Sequence, residues 1–170
     1  MRRLGNLELA FVTLGAILVT YGWYWGGVTE ARTSAYAMGT GSVVLGLFAA
    51  FNPGAVPAWS LFTVGAMWGM LATANAWNES AQDRTYGMFA LFFAVAALLG
   101  VAADSEAFGD MTDYGLGALV IAVVMLMHFI AAALVPANKG FKALVGWVTL
   151  IGGAFLAFIG FAESIGSSIL

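Results

Sequence analysis

Six apolar runs, each near twenty residues and free of charge once its ends are trimmed, dominate this chain of 170 residues. They cover 9–27, 34–51, 56–76, 86–103, 114–135 and 141–161. A transmembrane helix needs about 20 mostly apolar residues, so each run is long enough to cross a bilayer. The connections are short and carry turn and charge signals: Thr29-Glu30-Ala31-Arg32, Asn52-Pro53-Gly54, 78–84, 104–113 and 136–140. Charged residues make up only 9% of the chain, against about 25% in a soluble domain, too few to cover a surface in water. Transmembrane barrels alternate polar and apolar at every second residue, and these runs are continuous. The first run is too long for a signal peptide and is followed by runs like it. The expected fold is therefore an all-α integral membrane protein, a single six-transmembrane-helix bundle over 1–170.

Several functions are excluded by what is missing. Six basic residues against nine acidic ones supply no surface for a phosphate backbone, so nucleic acid is not expected as a partner. The absence of cysteine removes disulfides and thiolate chemistry. His128 is the single histidine, and a lone histidine cannot build a metal site. No carboxylate pair or nucleophile–base set lies within the runs, so neither an enzyme nor a cofactor is expected. Ion pumps, proton-coupled carriers and voltage sensors use buried ionisable groups as relays or counter-charges. Without them, a solute crossing here is expected to be neutral.

Basic residues in short loops orient a membrane protein. Arg32, Arg84, Lys139 and Lys142 flank the first, third and fifth loops, while the other face holds only Arg2 and Arg3. Asp104, Glu106, Asp110 and Asp113 crowd that poorer face. Both termini are expected outside, in the cell (inner) membrane.

The polar residues within the runs are mild. Thr13, Thr20, Thr40, Ser42, Thr63, Thr73 and Thr149 are expected to bond back to their own helix or to a neighbour. His128, between Met127 and Phe129, is expected to pack with a hydrogen bond, with acid sensing as the alternative. Asn75 follows Trp68 by two helical turns, so the two share a face with Ala72. Such a face would pair an aromatic wall with one amide, unless Asn75 serves as a helix–helix bond or an interfacial cap. Glycines follow helical spacing: Gly146, Gly153 and Gly160 recur every seven residues, and Gly15 and Gly22 repeat that interval. Gly65 and Gly69 form a G-x-x-x-G. Smooth stripes of this kind let another helix approach closely. Trp147, Ile151, Ala154 and Phe158 form a bulky face of the last helix, and Phe89, Phe92, Phe93 and Val95 enrich the fourth.

With these features in place, the chain resembles the short-chain amide transporter and urea channel family over most of its length. Leu14-Gly15-Ala16-Ile17-Leu18-Val19-Thr20-Tyr21-Gly22 is similar to that family's opening V-G-x-V-L-x-x-N-G, and Ala74-Asn75 to its A-x-N close of the third span. Tyr86 through Ala94 resembles G-W-x-x-L-F-V-A, and Trp147 through Phe161 aligns without a gap to W-L-x-x-x-E-G-x-x-T-A-W-I-P. Tyr21 stands in place of an Asn, Met88 of a Trp, Gly152 of a Glu, Phe158 of a Trp and Gly160 of a Pro. The outer loops 52–56 and 104–113 lack the histidines of acid-gated members. The resemblance implies a ring-shaped homohexamer with a pore in each protomer for urea and short amides. Its pore-lining, substrate-binding residues would be Trp68, Asn75, Phe89, Phe92, Trp147 and Phe158. Trp68 and the phenylalanines would form a constriction and Asn75 would offer hydrogen bonds, with anchoring at the interface as the other role open to Trp147. Two alternatives stand beside this. One is a channel of the acetate uptake family for small monocarboxylates, although its N-terminal Asn-Pro-x-Pro is absent. The other is a non-transporting membrane scaffold subunit.

The orientation is testable directly. A cysteine at Ser105 should react with an impermeant thiol reagent in intact cells, and one at Ser80 should not. The opposite pattern would invert the topology.

Overall fold

In the computed structural model, residues 6–28, 83–167 and 169 are described below. They form four helices and, among the described residues, no strand. Helix α1 spans Asn6–Trp25, α2 spans Asp83–Phe108, α3 spans Asp113–Phe129 and α4 spans Lys139–Ser164. A π-helical turn, Ile130–Leu134, continues α3 without a break. These helices coincide with the first, fourth, fifth and sixth apolar runs. The 34–51 and 56–76 runs lie outside the described residues. Two helices, Asp113–Leu134 with its π turn (22 residues) and Lys139–Ser164 (26 residues), are long and apolar enough to cross a membrane.

The helix ends follow from local chemistry. Thr112 caps α3, its hydroxyl accepting the Tyr114 N–H at 3.2 Å, and Asn138 caps α4, accepting from Phe141 N–H at 2.9 Å. Helix α1 stops where Gly27 takes φ 78°. There the Val28 N–H reaches back to Trp23 O at 2.8 Å and the Gly27 N–H to Tyr24 O at 3.0 Å, a paired closure that favours glycine at the left-handed position. Pro136 follows the π turn and cannot continue the helix. One boundary differs from the sequence reading. Helix α2 runs on to Phe108, past the expected limit at 103, because Asp104 is buried and bonded rather than solvated in a loop.

The closest packing joins α1 to α4, antiparallel. Gly15 faces Gly153, and Gly22 faces Gly146, so the two seven-residue stripes meet each other. A methyl on Gly153 would lie 2.7 Å from Gly15 O and from Val19 N. One on Gly22 would lie 2.6 Å from Gly146 O, and one on Gly160 would lie 2.9 Å from Val12 N. Backbone therefore rests on backbone along the length of both helices. Helices α2 and α3 form a second antiparallel pair, with Gly87 against Ala133 at one end and Gly100 near Ala118 and Tyr114 at the other. Helix α3 lies between α2 and α4 and packs on both.

The core draws on every element. Phe11, Leu14, Ile17, Leu18 and Tyr21 come from α1, Ala90, Phe93 and Ala94 from α2, Ile121 and Met125 from α3, Ala132 from the π turn, and Leu156 and Ile159 from α4. The outward faces are apolar too. Met88, Phe92, Val95 and Leu99 on α2, and Leu144, Ile151, Phe158 and Phe161 on α4, are all exposed.

Gly153→Ala sets a methyl against backbone atoms that cannot swing aside. The expected loss is about 1–3 kcal/mol of stability, as overpacking typically costs, read as a lower melting temperature in mild detergent. Gly140→Ala is the control, since its methyl meets only Asn138 Oδ1 at 3.6 Å; it should be neutral or mildly stabilising. Equal behaviour of the two would reject backbone contact as the source of packing.

Candidate functional site

Among the described residues, two buried polar side chains meet at mid-bundle, where α1, α3 and α4 come together. His128 and Thr149 are both fully buried, and His128 Nε2 lies 2.8 Å from Thr149 Oγ1. The Thr149 hydroxyl has one proton, and it donates that proton to Val145 O at 2.8 Å. The imidazole Nε2–H is therefore the donor of the pair, and Thr149 relays the bond to the α4 backbone. Helix α1 supplies the aromatic walls. Tyr21 stacks on the imidazole at 5.4 Å between centroids and 28° between planes, and Trp25 meets it edge-on at 4.4 Å and 75°. Lys142 Nζ sits 5.9 Å from the Trp25 ring, within reach of a cation–π attraction. Tyr21 and Trp25 are one helical turn apart, so one face of α1 presents both rings. The hydrogen-bonded packing expected for His128 is what the structure displays.

The two ends of the bundle differ in charge. Glu8, Asp104, Glu106, Asp110, Asp113 and Glu163 lie at the end that joins the start of α1 and α3 to the close of α2 and α4. Lys139 and Lys142 lie at the other. Two of the four acids that the sequence places in a solvated loop turn inward. Asp104 accepts the Thr112 N–H at 2.8 Å and the Thr112 hydroxyl at 2.7 Å, an anion beside the N-terminus of α3, where the helix dipole favours it. Gly115 leaves the space that the Asp104 carboxylate fills. Asp113 accepts the Ile169 N–H at 2.8 Å through Oδ2.

The residues singled out from the sequence are placed as follows. Trp68 and Asn75 lie outside the described residues. Phe89 falls within α2. Phe92 is 64% exposed on α2, its ring edge-on to buried Phe93 at 5.6 Å. Trp147 is 49% and Phe158 is 57% exposed on α4. Because α3 separates α2 from α4, the structure does not bring Phe92 together with Trp147 or Phe158. A groove of about 360 Å³ does open between α3 and α4, lined by Val120, Val124, Val148, Ile151, Gly152 and Phe155 among others. Its walls offer no polar side chain, so an amide there would lose its hydrogen bonds to water without replacement. Among the described residues, no three metal-ligating side chains converge. The sequence reading missed Tyr21 and Trp25 as neighbours of His128, and Lys142 as a neighbour of Trp25. The signal was present: pairing Gly22 with Gly146 brings Tyr21 and Trp25 alongside the start of α4.

Comparison with protein-family models, with characterised proteins and with solved structures finds no match to this chain.

Thr149→Val should cost about 1–3 kcal/mol, because it leaves the buried imidazole N–H without its acceptor. The double variant His128→Phe with Thr149→Val should cost less than the two single changes summed, as bonded neighbours do. Strict additivity of melting shifts would show that the pair is not energetically coupled.

Proposed function

We propose that the chain is an integral membrane channel passing small neutral solutes, urea and short-chain amides, down their gradients. In this reading the 34–51 and 56–76 runs complete a six-span bundle, both termini face outward in the cell (inner) membrane, and protomers assemble as a ring-shaped hexamer. The observation that carries it is the chemistry of the interior. Away from the acidic end, no Asp, Glu, Lys or Arg side chain is buried among the described ones; the buried titratable groups are His128, engaged with Thr149, and the Tyr21 phenol stacked on it. Pumps and proton-coupled carriers set ionisable groups along their paths, whereas a neutral solute needs apolar walls and a few hydrogen-bond partners.

Three features of the fold support a membrane setting. Two helices have the length and apolarity to cross a bilayer. The outward faces of α2 and α4 carry large apolar side chains, as lipid-facing helices do. Helices α1 and α4 run antiparallel, as the first and last spans of an even number of crossings must. The resemblance to the amide and urea channels supplies the solute class. Trp68, Asn75 and Phe89 are proposed to line the path. The outward setting of Phe92, Trp147 and Phe158 suits contacts with lipid or with a neighbouring protomer. Backbone-close packing of α1 on α4 leaves no passage between those two helices, and it favours one second reading, a scaffold subunit that transports nothing.

Flux of urea, acetamide and acetate into proteoliposomes separates these readings. Urea and acetamide should enter faster than into empty liposomes, independently of membrane potential, and Asn75→Leu should lower the urea rate at equal protein content. Acetate flux alone would select the monocarboxylate channel. No flux of any of the three would leave the scaffold, and a requirement for a proton gradient would reject passive conduction.

A further inference from the structure

The seven-residue stripe of α4 that packs on α1 carries Gly146, Gly153 and Gly160, and one interval earlier it carries Lys139. Glycine occupies the stripe where α1 lies alongside, and lysine the position beyond its end. Helix α1 closes at the level of Gly146, where an added methyl would meet the backbone of Trp25 and Gly26. The residues of α4 before Gly146, about 10 Å of helix axis, therefore overhang α1. The turn at Gly26 and Gly27 floors this shelf, and a methyl on Gly27 would meet nothing within 4 Å. Gly27, Val28 and Lys139 are all exposed. Lys142 Nζ sits over the Trp25 ring at 5.9 Å. On the other flank the Trp147 indole lies beside Gly26, its Nε1 3.8 Å from where a Gly26 methyl would stand.

We propose that this shelf binds the phosphate of an anionic phospholipid. Lys139 and Lys142 supply charge, the Trp147 indole N–H donates a hydrogen bond, and the α4 face below offers a surface to one acyl chain. The site rests on the membrane setting of the proposed function and not on conduction. Cations at the start of a helix oppose its dipole, and the first turn of α4 holds no acid to compensate them. An anion on the shelf offsets the dipole and both ammonium charges together. The apolar path begins at the same place. Trp147, Ile151, Ala154 and Phe158 are exposed about one turn apart on one face of α4, leading from the shelf towards the middle of the span. A headgroup bound between the lysines and Trp147 thus has its chain aligned with that face, whereas free phosphate meets the charges alone. The basic-residue count sets this end on the cytoplasmic side, where the leaflet carries anionic lipids.

The test measures lipid affinity of the full-length chain in mild detergent by native mass spectrometry, with phosphatidylglycerol, phosphatidylcholine and inorganic phosphate as probes. Phosphatidylglycerol should bind roughly tenfold or more tighter than phosphatidylcholine, as two basic residues near a headgroup imply. Lys139→Gln should weaken phosphatidylglycerol roughly fivefold, and Lys139→Arg should hold the wild-type affinity. Trp147→Phe keeps a ring and removes the N–H, and it should also cost roughly fivefold. Equal affinity for the two lipids would overturn the site. So would a loss in Lys139→Gln with none in Trp147→Phe, which is the mark of diffuse attraction to a charged surface. Displacement of phosphatidylglycerol by an equal concentration of inorganic phosphate would overturn a lipid as the ligand. Lys139 is exposed, so its two variants still decide the matter if Trp147→Phe does not fold. A chain that stays monodisperse without detergent would remove the membrane setting and the site together. Selective lipid binding without urea flux would remove the channel and keep the site.

Discussion

Everything described here hangs on the contact between two glycine stripes. Close approach of α1 to α4 is what brings Tyr21 and Trp25 over His128, which Thr149 of α4 holds by its hydrogen bond. A single methyl at Gly15, Gly22, Gly146 or Gly153 would meet backbone rather than a pliable side chain, so the spacing has little slack. In a hydrocarbon setting no hydrophobic effect separates helix from lipid, and association depends on dispersion and on how near two backbones can come. Glycine permits the nearest approach, and the seven-residue interval keeps it on one face for three successive positions of α4.

Within this frame the imidazole plays a structural part. A histidine in the interior is costly unless its nitrogens are engaged, and here the Nε2–H is passed through Thr149 to the carbonyl of Val145. The bond crosses from α3 to α4 at a level where most other contacts are apolar and non-directional. It therefore specifies a rotation and a height for α3 that packing alone leaves looser. The π turn that begins at Ile130 follows within two residues. It shifts the hydrogen-bond ladder just where the His128 side chain fixes its helix.

Much of the fold was legible in the residues. The four described helices match runs recognised by length and apolarity, and the glycine intervals named the faces that meet. The boundary of α2 was not legible, because Asp104 looks like a loop residue until the Thr112 groups that satisfy it are seen. The same holds for Asp113, whose partner is far along the chain. Charge in a sequence reads as solvation, and a carboxylate that caps or latches has the same letter as one that does not. The site was less legible than the fold. Phe92, Trp147 and Phe158 were expected to line a pore on the strength of the channel resemblance, yet an aromatic letter does not say whether its ring faces the core or away from it, and all three are exposed. The His128 surroundings depend on residues from three helices, which periodicity within one helix cannot join.

The pairing of α1 with α4 also has a consequence in time. Its two halves are more than a hundred residues apart in the chain. During synthesis at roughly 5–20 residues per second, α1 waits on the order of ten seconds before α4 exists. Throughout that interval the glycine face of α1 lacks α4, the partner it meets in the folded protein. The α2–α3 hairpin, local in sequence, forms without delay and presents His128 and Phe93 as a half-built receptor. The contact that closes the bundle is thus the last to become available, and a ribosome that stalls before residue 139 leaves a product without the helix that α1 packs on.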